Sequence, residues 1–197
     1  MELTYGIYLY QQVAALDFVG PYDVFDLSNM LSEQGKVVTI AATKDPITCI
    51  NGMTVIPDYD FDSAPELDIL LVPGAKDLED AMTKPSAMEW IQKQNESTQF
   101  TTAVCTGALI LQHAGLLKGK KATTHWMLIE ELQKADDTQV MPDMRYVRDG
   151  KIVTAQGISA GIDMALWLVG ELHSPAHARE VRKLLQYDPA PPYSAEI

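Results

Sequence analysis

The chain is short of cysteine, of positive charge and of long apolar runs, and each shortage removes a class of protein. Two cysteines in 197 residues, Cys49 and Cys105, cannot hold a disulfide scaffold together. With no basic leader ahead of the strand-like residues 3–10, they point to a reduced, cytoplasmic setting. Lys and Arg number 15 against 27 Asp and Glu, a formal net charge of −12. The only basic cluster is Lys118, Lys120 and Lys121, so nucleic acid and anionic membrane are not expected as direct partners. No apolar stretch approaches the length of a membrane-spanning helix. There is no internal repeat and no low-complexity linker, so residues 1–197 are expected to form one domain with a full-sized core.

What is present is an alternation of strand-like and helix-like segments. Residues 3–10 read as a first strand, followed by a connection to Gly20 and a helix from Pro21 to about Gly35, since proline suits a first turn. Residues 37–42 read as a second strand. Residues 47–50 and 53–56, split by Asn51-Gly52, read as a small hairpin with a type I′ turn. The near-continuous apolar run 67–72 suits a central parallel strand buried on both faces, ending at Pro73-Gly74. Two short helices over about 78–82 and 86–94 precede the next strand. Beyond it come a short strand at 121–124, a helix over 126–134 and a hairpin of 145–147 with 152–155. A long helix over 158–172, a last helix capped by Ser174-Pro175 and a Pro-rich tail from Asp188 complete the chain. This spacing predicts an α/β three-layer sandwich, a mostly parallel central sheet with helices on both faces. In such sheets ligands bind beyond the carboxyl ends of the strands, where Asp17, Gly74 and Cys105 all fall.

The stretch Thr101-Thr102-Ala103-Val104-Cys105-Thr106-Gly107-Ala108-Leu109 reads as strand, sharp turn and helix with a sulfur on the turn. Such an elbow lifts a nucleophile off the sheet and aims the next N–H at the same spot. A helix N-terminus beneath it favours thiolate over thiol. Equally, Cys105 fits a small buried hydrophobe at a strand end. A nucleophilic thiol needs a proton acceptor and donors for the anion it generates. The Thr106 N–H and those at Gly74-Ala75 are the candidate donors. Asp17, half-buried against Phe18 and Tyr22, is the candidate acid/base group, and it also fits a helix N-cap. His125 follows a strand end too, and its position beside Trp126 equally fits an N-terminal helix residue.

Three other patterns carry less. Gly157-Ile158-Ser159-Ala160-Gly161 matches the serine-hydrolase elbow, but the segment after it is short and helical, and a strand-to-helix junction explains its glycines. Gly115-Leu116-Leu117-Lys118-Gly119-Lys120 has one residue too few between its glycines for a phosphate loop. His173 and His177 are separated by the helix start at Pro175 and are expected not to share a face, so no metal site is expected. Cys49, beside the Asn-Gly turn, reads as structural.

Val104-Cys105-Thr106-Gly107-Ala108, the run from Ala114-Gly115 through Lys121-Ala122-Thr123-Thr124-His125-Trp126, and Gly157-Ile158-Ser159-Ala160-Gly161-Ile162-Asp163 together resemble the ThiJ/PfpI superfamily. That superfamily has a class I glutamine amidotransferase-like, flavodoxin-like fold with a cysteine nucleophile elbow. Leu16-Asp17-Phe18-Val19-Gly20-Pro21 and Tyr187-Asp188-Pro189-Ala190-Pro191-Pro192 resemble its isonitrile hydratase branch. The resemblance implies Cys105 as nucleophile, Asp17 as acid/base and Thr106 beside the sulfur; Gly74, Ala75 and His125, from their places past strand ends, are the expected oxyanion or substrate-binding residues. It implies a small-molecule substrate, no cofactor, no metal and a homodimer. It also allows a non-catalytic or redox-sensing protein, or an amidase, peptidase or glyoxalase-like activity. Similar motifs occur in AraC-type regulators, which add a basic helix-turn-helix domain that is not expected here. Two loops depart from the superfamily pattern: Pro73-Gly74-Ala75-Lys76-Asp77 replaces Pro-Gly-Gly, and Ala155-Gln156-Gly157 is poorer in glycine.

Overall fold

The computed structural model describes residues 2–134 and 137–189. Its strands are β1 (Thr4–Tyr8), β2 (Lys36–Ala41), β3 (Ile47–Thr48), β4 (Thr54–Val55), β5 (Tyr59–Asp60), β6 (Ile69–Val72), β7 (Phe100–Val104), β8 (Lys121–Ala122), β9 (Gln139–Val140), β10 (Tyr146–Asp149) and β11 (Ile152–Ala155). Its helices are α1 (Ala15–Ser32), α2 (Glu79–Met82), α3 (Pro85–Ser97), α4 (Gly107–His113), α5 (Ile129–Gln133), α6 (Ala160–Leu172) and α7 (Pro175–Leu184).

A seven-stranded sheet runs in the order β10-β11-β7-β6-β1-β2-β5, with every pairing parallel except β10 with β11. Helices α1, α6 and α7 pack together as one layer, and α2 to α5 form the other. The chain runs outward from β1 to β2 and then returns to β6 on the other side of β1. The crevice beyond the carboxyl ends of β1, β6 and β7 is therefore the topological switch point of the sheet. All four residues of β6 are fully buried, as its unbroken apolar sequence requires.

Several expectations are corrected. Helix α1 begins at Ala15, not Pro21, so Pro21 lies inside it and has no N–H to give the Asp17 carbonyl. The helix passes through because this stretch is clamped from outside: a Cβ on Gly161 would stand 3.1 Å from the Pro21 ring, and one on Gly20 would stand 2.8 Å from Ile162. Asp17 is thus in the first turn, and Ala14 occupies the cap position without a side-chain bond. In the 47–55 hairpin only Gly52 takes a positive φ, of 86°, so the turn is not type I′. The Gly52 N–H returns to the Cys49 carbonyl and Asn51 Oδ1 accepts the Met53 N–H, which uses asparagine as a local acceptor instead. Strand β8 pairs with β9 in a separate two-stranded sheet, off the main one. The 126–134 segment opens as a 3-10 turn over Trp126–Leu128, because His125 Nδ1 takes the Met127 N–H. His173 and His177 are brought together, with ring centroids 4.7 Å apart, because the chain bends at Ser174 before α7 starts. Among the described residues no group of three or more His, Cys, Asp and Glu is placed to hold a metal, and no helix is long and apolar enough to cross a membrane. The tail from residue 190 onward lies outside the described residues.

Candidate functional site

The loops beyond β1 and β6 are stitched to each other before any ligand is considered. Tyr10 Oη donates to the Pro73 carbonyl at 2.9 Å, and the Ala14 N–H donates to the Gly74 carbonyl at 2.8 Å. Val13 and Ala75 form an antiparallel bridge. On this frame the first turn of α1 delivers Asp17, which is fully buried, against the Gly74 turn. Asp17 Oδ2 accepts the Gly74 N–H at 3.0 Å, while Oδ1 is buried with no partner of hydrogen-bonding geometry. A Cβ at position 74 would stand 2.5 Å from Thr106 Oγ1 and 2.9 Å from Asp17 Oδ2, so only glycine fits.

Strand β7 ends at Val104 and α4 begins at Gly107, leaving Cys105 and Thr106 to make the turn. Cys105 takes a φ of 58°, rare for a side-chain-bearing residue. Its N–H reaches both the Ala155 and Gln156 carbonyls at 3.1 Å, and Thr124 Oγ1 donates to its carbonyl at 2.8 Å. Gly107 is obligatory, since a Cβ there would stand 2.2 Å from the Val72 carbonyl oxygen. The Asp17 carboxyl and the N–H groups of Thr106 and Ile158 lie close enough to the sulfur for each to act on its titration.

The electrostatics reverse one expectation. Burial raises the Asp17 carboxyl from 3.8 to about 6, partly offset by the Gly74 N–H and the Cys105 thiol. Burial, and then the Asp17 charge, push the Cys105 thiol up to about 12, against the opposing N–H groups of Thr106 and Ile158. The seven-residue helix α4 does not make a resting thiolate, because desolvation and a neighbouring carboxylate outweigh the donors at its start. At neutral pH the pair is thiol and carboxylate, with the carboxylate ready to take the thiol proton.

Thr106 and Ala75 form a closed pair: the Ala75 N–H donates to Thr106 Oγ1 at 2.9 Å, and the hydroxyl donates to the Ala75 carbonyl at 2.7 Å. The Gly74 and Ala75 N–H groups, read from sequence as donors to a reacting anion, are therefore engaged with Asp17 and Thr106. The donor that sequence reasoning missed is Ile158 N–H. Ile158 sits at φ 31° in the loop before α6, and no side-chain signal announces a backbone donor. The same loop accounts for Gly157-Ile158-Ser159-Ala160-Gly161 without a serine nucleophile. A Cβ on Gly157 would stand 2.0 Å from His125 Cδ2, one on Gly161 would crowd Val104 and Pro21, and Ser159 Oγ accepts from Arg145.

Above the sulfur lies a cavity of about 430 Å³ walled mainly by Ile50, Leu78, Met127, Leu128 and Ile158. Cys105 and Thr106 form part of its wall, with Ala75, Lys76 and His125 at the side. Asp17 is beneath this surface, not on it. The arrangement offers a thiol, a proton acceptor touching it and an apolar chamber, which is what addition of sulfur to a small apolar electrophile requires. Cys49 is free and buried, and does not line the cavity.

The sequence matches the DJ-1/PfpI family over residues 6–171. It is 39% identical to an isonitrile hydratase of Pseudomonas putida over 197 residues, covering 99% of this chain and 83% of that protein. It is 30% identical over 142 residues to the HTH-type transcriptional regulator CdhR of Pseudomonas aeruginosa, covering 72% of this chain but 42% of the regulator. Among solved structures, a THiJ/PfpI family protein from Pseudomonas syringae superimposes with a TM-score of 0.88 at 31% identity, over 99% of this chain and 79% of that one.

Proposed function

This chain belongs to the DJ-1/PfpI family, and from that premise we propose that it is a cysteine-dependent hydratase converting isonitriles to N-formamides. The observation that carries the reading is the buried contact between the Asp17 carboxyl and the Cys105 thiol at the floor of an apolar cavity. The near full-length likeness to the Pseudomonas putida hydratase supports the choice of substrate class.

In this mechanism Asp17 takes the proton of the Cys105 thiol as sulfur bonds to the terminal isonitrile carbon. The same proton passes from Asp17 to that carbon, giving a thioimidate, R–N=CH–S–Cys105. Water then adds its oxygen to the carbon: Asp17 takes one of its protons and passes that proton to the nitrogen, giving R–NH–CH(OH)–S–Cys105. The adduct collapses by breaking the C–S bond, the hydroxyl proton returns to sulfur, and R–NH–CHO leaves. One isonitrile and one water give one formamide, and Cys105 and Asp17 end as they began. The N–H groups of Thr106 and Ile158 steady negative charge on sulfur as it forms and departs. The apolar wall holds R and limits water to the one that reacts.

A redox sensor requires a thiol that is ionised at neutral pH, and a Cys105 thiol held near 12 argues against that reading. The proposal includes a homodimer with the cavity near its interface, tested by light scattering of the purified protein. The activity itself is tested by formamide production from alkyl and aryl isonitriles, beside Cys105→Ala and Asp17→Asn. Turnover by the native protein and a fall of orders of magnitude in both variants is the expected result. No turnover of any isonitrile, with Cys105 still open to alkylation, would sink it.

A further inference from the structure

On the reading above, we propose that Lys76 selects isonitriles whose R group carries a carboxylate on an apolar stem. The chain holds 27 acidic side chains against 15 basic ones, yet among the described residues no acid lines the cavity above Cys105. Four other clefts on the described surface each carry at least one carboxylate: Asp163 in one, Asp80 in a second, Asp26 in a third and Glu171 in a fourth. The catalytic cavity differs from all of them. Its wall is apolar, and its one lysine or arginine is Lys76.

Lys76 has no ion-pair or hydrogen-bond partner among the described residues, whereas Lys84, Lys120 and Lys134 are each paired with a carboxylate. Its sequence neighbour forms no ion pair with it. Asp77 Oδ1 is turned to the first turn of α2, where it accepts the Glu79 N–H at 2.9 Å. The backbone that carries Lys76 is also fixed, because Ala75 is bonded at both its N–H and its carbonyl to Thr106. An exposed but anchored cation therefore stands at the side of an apolar chamber, on a protein whose net charge of −12 repels anions elsewhere. A substrate with its isonitrile carbon at Cys105 and its stem on the apolar wall finds in Lys76 the cavity's one ammonium for a carboxylate. A neutral substrate leaves that ammonium without a use in the site.

The test compares a straight-chain ω-isocyanoalkanoate with its methyl ester on the native protein and on Lys76→Met, Lys76→Arg and Lys76→Glu. The expected ratio of kcat/KM, acid over ester, exceeds one for the native protein and falls by about 5-fold in Lys76→Met, carried by KM. It persists in Lys76→Arg, inverts in Lys76→Glu, and shrinks with added salt in the native protein. A ratio unchanged across Met and Glu overturns the role of Lys76 while leaving the hydratase reading intact. If the native protein hydrates neither compound, the hydratase reading has failed and Lys76 is judged by binding alone. Calorimetric titration with the matching N-formyl-ω-amino acid and its ester then decides it: tighter binding of the acid, lost in Lys76→Glu, supports the selection, and equal binding overturns it.

Discussion

Asp17 Oδ2 accepts the Gly74 N–H at 3.0 Å, and among the described residues this donor and the Cys105 thiol are all that the fully buried carboxyl receives, its Oδ1 having no partner of hydrogen-bonding geometry. The Gly74 N–H and the Cys105 thiol do not replace the water this group has lost, so burial raises its value from 3.8 to about 6. The folded protein binds that proton more tightly than the unfolded chain does. Stability therefore falls as pH rises from about 3.8 to about 6, and the ionised carboxyl costs about 3 kcal/mol above that window. Asp17→Asn removes the cost and the proton acceptor together. Its melting temperature is expected to exceed that of the native protein at pH 7 by several degrees, with the difference vanishing towards pH 4. Formamide production is expected to fall by at least ~100-fold. A variant that is both less stable at pH 7 and still active would contradict the role given to Asp17.

The same pair sets a pH profile. Asp17 must be ionised to take the thiol proton, so kcat/KM is expected to rise through about pH 6 and stay level to pH 9. The thiol has its own signature. Alkylation of Cys105 by iodoacetamide, followed by mass spectrometry, should accelerate with pH without levelling below pH 10, since its own titration lies near 12. A plateau in alkylation near neutrality would mean a resting thiolate and would favour the sensor reading.

Much of this was legible in the chain, for reasons particular to each segment. Residues 69–72 were legible because a short apolar run that stops at Pro73-Gly74 suits a parallel strand buried on both faces. The turn at Cys105 was legible because Gly107 and Ala103 flank it and the periodicity changes across it. Asp17 could be placed beyond the first strand, but its local setting could not: proline usually marks a first turn, and here tertiary contacts to Gly161 and Ile162 carry α1 through Pro21. The donors at the sulfur were least legible. A backbone N–H such as that of Ile158 has no residue type to betray it, and the Gly74 and Ala75 groups are used by partners 57 and 31 residues away.

Tyr10 tests how far that backbone frame matters. Its hydroxyl donates to the Pro73 carbonyl at 2.9 Å in a fully buried setting. Tyr10→Phe leaves that carbonyl without its donor, at a cost of about 1–3 kcal/mol. The Gly74 N–H, one residue along, is then held less firmly against Asp17, and weaker donation raises the carboxyl further. The acid limb of kcat/KM should therefore move to higher pH, read alongside a lower melting temperature. Lost stability with an unmoved acid limb would show that Tyr10 supports the fold but does not position Asp17.

Gly157→Ala probes the opposite wall. The added methyl would lie 2.0 Å from His125 Cδ2, and the ring, half-buried and held by one bond from the Met127 N–H, is the part able to yield. Displacing it also disturbs the turn over Trp126–Leu128 that brings Met127 and Leu128 to the cavity. No hydrogen bond joins position 157 to Cys105 or Asp17, whose bonds run to Ala155, Gln156, Thr124 and Gly74. The expected result is a KM for aryl isonitriles raised about 10-fold with kcat changed far less, since the lost contact is one that substrate and transition state share. Equal losses in kcat and kcat/KM would instead mean that the methyl has propagated to the neighbouring Ile158 N–H and unsettled the sulfur, making this loop part of the chemistry and not only of the wall.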